Sequence, residues 1–186
     1  MEFQRRFMKI LALSGSLRAA SHNSALLRAM ARLAPRGVEV SVYPGLGELP
    51  LFNPDLEASD PLPVATLRSH IVASDALLIA SPEYAHGVTG VMKNALDWMV
   101  GCEAFVHKPV ALLNASPRAT HAQAALRETI SVMSAHIVEG ASITVPILGS
   151  KLTEDGIADH TEISASLRMA LAALCDAVSR GTYQGE

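Results

Sequence analysis

Several features that mark large protein classes are missing from this 186-residue sequence. It has two cysteines, Cys102 and Cys175, without metal-ligand spacing. That argues against a zinc site or a disulfide framework and suits two free thiols in a reducing compartment. No stretch reaches the ~18 consecutive apolar residues of a membrane-spanning helix. Like charges form no long block, and the net charge is −3, so nothing points to nucleic acid. There is no GxxxxGKS/T loop and no GxGxxG, which speaks against ATP and a dinucleotide pyrophosphate. No GxSxG elbow occurs either: the sequence around Ser14 and Ser16 reads L-S-G-S-L, with no Ser/His/Asp order to make it a hydrolase. Repeats and low-complexity tracts are absent too. Arg5-Arg6 before an apolar run faintly resembles a twin-arginine export signal, but the run breaks at Ser14 and meets Arg18, without a convincing small-residue cleavage site. The expectation is a soluble cytoplasmic protein.

What is present suits one compact domain over residues 1–186. Apolar residues make up 49% and charged residues 18%, enough for a well-filled core. Five apolar runs read as strands: Phe7–Leu13, Val38–Tyr43, Ala76–Ser81, Pro109–Ala115 and Ala141–Pro146. Most are continuous rather than alternating, as strands of a parallel sheet covered on both faces should be. Helical periodicity falls between them, at Leu26/Met30/Leu33, Leu67/Ile71, Val91/Ala95/Trp98 and Leu126/Ile130/Met133/Ile137. It is clearest over Ile163, Leu167, Leu171, Leu174 and Val178. The alternation predicts an α/β doubly wound sandwich, with a five-stranded parallel sheet of flavodoxin-like order 2-1-3-4-5. The longest irregular stretch, Pro44–Pro63, is long enough to suggest a role.

Ligands of such sheets bind beyond the carboxyl ends of the strands. After the first strand comes "SGSLRAASHNS", with hydroxyls at Ser14, Ser16, Ser21 and Ser24, a guanidinium at Arg18, and Asn23 where a helix should begin. Backbone amides at a helix N-terminus, hydroxyl donors and one arginine make an anion site, which suits a phosphate monoester. After the third strand comes "SPEYAHGVTGVMKNALDWM". Pro82 directs the chain out of the sheet, Gly87 and Gly90 permit close backbone approach, Tyr84 and His86 are planar, and Thr89 can cap the next helix. A phosphate loop and a backbone-rich aromatic loop together describe a mononucleotide with a large planar head group, and FMN fits both halves.

The segments "GSLRAASHNSALLRA", "LPLFNPDLE", "ASDALLIASPEYAHGVTGVMKNALDW" and "KPVALLNAS" resemble, in that order, the NADPH-dependent FMN reductase family, which includes quinone, azo-dye and chromate reductases. The resemblance implies that Ser16, Arg18, Ser21 and Asn23 hold the FMN phosphate, and that Pro82, Glu83, Tyr84, His86 and Gly87 line the isoalloxazine. Ser116 comes from the loop after the fourth strand. It also implies a homodimer or homotetramer, with the LFNPDLE loop and the Trp98 helix at the interface. Three positions depart from the family pattern. Ala85 replaces an asparagine, Thr89-Gly90 replaces Pro-Gly, and the loop after the fourth strand has no glycine. That loop carries Arg118 and His121, which could narrow the ring pocket or contact a nucleotide phosphate.

The expected activity is transfer of a hydride from NADPH or NADH, as co-substrate, through bound FMN to a small acceptor such as a flavin, quinone or azo compound, by a two-step exchange. No catalytic acid or base and no metal ligand is singled out. Glu83 lacks a tuned partner and reads as structural. The alternative is a non-enzymatic flavodoxin-like carrier or redox sensor. Such carriers tend to be strongly acidic for docking, and a net charge of −3 does not encourage that reading.

Overall fold

The computed structural model describes residues 7–182, so the Arg5-Arg6 pair lies outside the described residues. The central sheet contains β1 (Met8–Ser14), β2 (Val38–Val42), β3 (Ala76–Ala80), β6 (Pro109–Leu113) and β7 (His136–Ile137), all parallel, in the order β2-β1-β3-β6-β7. Counted along the chain, that is the flavodoxin-like order 2-1-3-4-5. Helices α1 (His22–Leu33), α5 (Glu154–Asp159) and α6 (Thr161–Thr182) cover one face; α2 (Leu62–Val72), α3 (Gly90–Met99) and α4 (Thr120–Val132) cover the other.

The continuous apolar runs are explained by this double cover. In β1, Ile10 and Ala12 join the core under α1 and α6, while Leu11 and Leu13 join the core under α2 and α3. In β3, Ala76, Leu78 and Ala80 face the first core, and Leu77 and Ile79 the second. Because successive strand residues point to opposite faces, a strand buried on both sides must be apolar at every position.

The fifth strand differs from expectation. Left-handed Ser134 (φ 61°) follows α4, so Ile137, placed by periodicity on that helix, instead lies in β7. A helical turn at Glu139–Ala141 then interrupts the edge. The chain rejoins the sheet at Thr144 opposite Asn114, where Asn114 N donates to Ile143 O and Val145 N to Asn114 O. In the gap, Ser142 Oγ accepts from Leu112 N at 3.1 Å, so a side chain meets a donor that a regular strand would have met with backbone.

Two short strands, β4 (Glu83–Tyr84) and β5 (Gly87–Val88), form a hairpin above β3. The long Pro44–Pro63 stretch is pinned by α3. Asn94 Nδ2 and Trp98 Nε1 both donate to Pro50 O, and Phe52 N donates to Asn94 Oδ1 at 2.7 Å. The Phe52 ring meets Trp98 edge-on at 5.1 Å.

Candidate functional site

A cleft of about 260 Å³ opens beyond the carboxyl ends of β1, β3 and β6. One end is built by the turn after β1. Ser21 caps α1, its Oγ accepting from Ser24 N at 3.3 Å, while Ser14 Oγ and Ser24 Oγ lie 2.7 Å apart and hold the turn from beneath. The first amides of a helix have no partner within it, and Ser16, Arg18 and Asn23, around this end of α1, line the cleft. Arg18 forms no ion pair among the described residues. Asn23 is 7% exposed, and its Oδ1 has no hydrogen-bond partner. A buried acceptor left unmade costs about 1–3 kcal/mol. An asparagine amide both donates and accepts, which suits a ligand bearing a phosphate beside hydroxyl groups.

The turn is locked to the wall above β3. Gly15 N donates to Ala80 O at 2.8 Å. A Cβ at Gly15 would lie 2.3 Å from Ser81 Oγ and 2.9 Å from Thr89 Oγ1, so only glycine permits this approach. Thr89 is the keystone. Its hydroxyl donates to Gly15 O at 2.8 Å and accepts from Met92 N at 3.4 Å, capping α3 while holding the turn. Its side chain supplies a cap that a proline at this position could not.

The other end lies between the Pro82–Tyr84 segment and the Asn114–Ala119 segment. The structure brings Ser16, Arg18, Ser21, Asn23, Pro82, Glu83, Tyr84 and Ser116 to this one cleft. It does not bring His86 and Gly87 to the lining; they lie in the hairpin turn and in β5. Ala85 (φ 49°) and His86 (φ 59°) are both left-handed, as a two-residue hairpin turn of this hand requires. Each costs a non-glycine residue about 1–2 kcal/mol. The His86 ring stacks on His121, with centroids 4.4 Å apart and planes 18° apart.

The lining also includes Ser81, His22, Asn114 and Leu148, which the sequence did not suggest, and Arg118, which it offered as narrowing the ring pocket. Asn114 is buried and shapes the second wall: its Oδ1 accepts from Ser116 N at 3.0 Å. A polar residue ending an apolar run was its available signal. Leu148 arrives from a segment without local signature, placed only by the packing of the sheet edge.

A model of the family described as NADPH-dependent FMN reductase matches residues 8–147, most of the chain and all of the cleft except Leu148. The chain belongs to the NADPH-dependent FMN reductase family. Within it, the sequence is 39% identical over 135 residues to an NAD(P)H-dependent FMN reductase of Pseudomonas aeruginosa, covering 69% of this chain and 72% of that protein. It is 32% identical over 113 residues to a quinone reductase of Escherichia coli, covering 59% of this chain and 60% of that one. Among solved structures, the fold matches FerB, a flavoenzyme NAD(P)H:(acceptor) oxidoreductase of Paracoccus denitrificans. The TM-score is 0.78 at 27% identity, over 93% of this chain and 98% of FerB. The donor set at α1, with its unpartnered Asn23 oxygen, fits the cofactor of this FMN reductase family.

Proposed function

We propose that this chain is an FMN-dependent NAD(P)H oxidoreductase that passes electrons to a small acceptor such as a quinone or a free flavin. The observation that carries the reading is the buried, unpartnered Asn23 Oδ1, an acceptor for a ligand hydroxyl, in the same cleft as Ser16, Arg18, Ser21, Pro82, Tyr84 and Ser116. The α1 end would hold the phosphate through backbone amides, hydroxyls and the Arg18 guanidinium. Pro82, Glu83, Tyr84 and Ser116 border the ring. Bound there, FMN would supply two-electron chemistry between a nicotinamide and a small acceptor. The chain itself contributes binding, orientation and the exclusion of water.

The test is to load the purified protein with FMN, desalt it, and titrate it anaerobically with NADPH while following the visible spectrum. A retained flavin band that bleaches is expected. A retained band that does not bleach would favour the electron carrier, and no retained band would remove FMN from the reading.

Two finer points belong to the same proposal. The free thiols Cys102 and Cys175 support a reducing, cytoplasmic setting, and no helix among the described residues is long and apolar enough to cross a membrane. Sedimentation of the endogenous protein with the soluble cytosolic fraction is expected; recovery in the periplasm would overturn it. A homo-oligomer is supported by Leu51, which is 84% exposed on the segment that Asn94 and Trp98 hold rigid. Light scattering should give at least a dimer for the natural protein and a shift toward monomer for Leu51→Asp. A monomeric natural protein would refute this.

A further inference from the structure

The two walls of the ring end are joined by a side chain whose own sequence position gives no hint of it. Helix α4 starts without a cap: the preceding residue, Ala119, has no side chain to accept from the first turn. The amide of Ala122, third in the helix, donates instead to Glu83 Oε2 at 2.8 Å. A carboxylate from β4 thus does the work of a capping serine or aspartate, where the helix dipole favours a negative charge. Among the described residues, no other side-chain hydrogen bond joins the β4–β5 hairpin to the Asn114–Ala122 segment. The His86–His121 stack is a second strap between the same two elements, and it lies outside the cleft. Both straps act on a hairpin whose turn residues, Ala85 and His86, are held in a disfavoured conformation that surrounding contacts must enforce.

We propose that Glu83 is the positioning residue of the ring end: its carboxylate ties the hairpin to α4 and so sets the gap between the walls. This rests on the reading of the cleft as an FMN site. No side-chain hydrogen bond among the described residues links Glu83 to the phosphate end, which is built by α1 and the Ser14–Ser21 turn. A change at Glu83 therefore weakens binding of the ring while leaving the phosphate's contribution as it was.

Riboflavin, the same ring without the phosphate, separates the two ends. Flavin fluorescence is titrated with the protein, for FMN and for riboflavin, at a temperature where far-ultraviolet dichroism shows each variant fully folded. Glu83→Ala is expected to weaken both ligands by the same factor, about tenfold to a hundredfold, leaving the FMN-to-riboflavin affinity ratio unchanged. The midpoint potential of bound FMN should move with it. Glu83→Gln keeps an acceptor oxygen and should restore both affinities and the potential to near the natural values. Unchanged affinities in Glu83→Ala, or a changed ratio with riboflavin binding intact, would overturn the proposal. If Glu83→Ala does not fold, Glu83→Asp, whose carboxylate is one methylene short of the Ala122 amide, takes its place: equal weakening of both ligands supports the inference, and no change overturns it. A natural protein that binds neither flavin refutes the FMN reading itself, a separate result.

Discussion

Single residues at this site answer to backbone geometry before chemistry. Gly15 is required because Ser81 and Thr89 leave no room for a Cβ. Ala85 is the opposite case, a residue with a side chain where the turn needs φ of 49°. Asparagine visits the left-handed region at lower cost than alanine. Ala85→Asn should stabilise the chain by about 0.5–1 kcal/mol, seen as a higher urea midpoint with an unchanged slope. A lower midpoint would mean that the asparagine side chain meets an obstruction at the hairpin tip.

Elements here are joined through their ends. Thr89 begins α3 and holds the turn after β1; Glu83 lies in β4 and caps α4. Replacing Thr89 with valine keeps the shape but removes the cap and leaves the buried Gly15 carbonyl without its donor. Thr89→Val should cost about 1–3 kcal/mol and weaken FMN binding through the displaced turn, as measured by urea unfolding and flavin titration. Unaltered unfolding would show that water or another donor takes over at Gly15. The strands carrying the cleft were legible as apolar runs, and α1 and α3 as periodic segments with a plausible capping residue. The fifth strand was less so. A side-chain substitute at Ser142 and an intervening turn break its pairing without altering the hydrophobic pattern that marks it.

For the whole molecule, burial makes stability depend on alkaline pH. Desolvation, with Asp176 adding to it, pushes the Cys175 thiol above its ordinary 9.0. Desolvation, reinforced by Glu48, pushes the Tyr43 phenol above 10.0. In both, the folded chain keeps a proton that the unfolded chain releases, so their contribution is complete below 9.0 and 10.0 respectively and is lost as pH rises past those values. Lys108 works in the other direction. Desolvation lowers it from 10.5 against the pull of Asp75 and Cys102, so the cost of burying its charge is relieved as pH climbs toward 10.5. Lys108 is common to both proteins, so the melting temperature should begin to fall at a lower pH in the natural protein than in Cys175→Ala. The same onset in both proteins would acquit the thiol.

The sequence by itself determined the layered α/β fold, because strands buried on both faces must be apolar throughout and helices buried on one side must repeat about every 3.6 residues. It also determined the chemistry of the α1 end, where hydroxyls, an arginine and a helix start are adjacent in the chain. Only the tertiary structure decided how the ring end is assembled. Asn114, Leu148 and the Glu83–Ala122 tie come from segments distant in sequence, and His86 sits in a hairpin turn whose hand no short motif announces. Local patterns record which groups a segment offers and which face it buries; which groups meet depends on how the sheet brings its loops together.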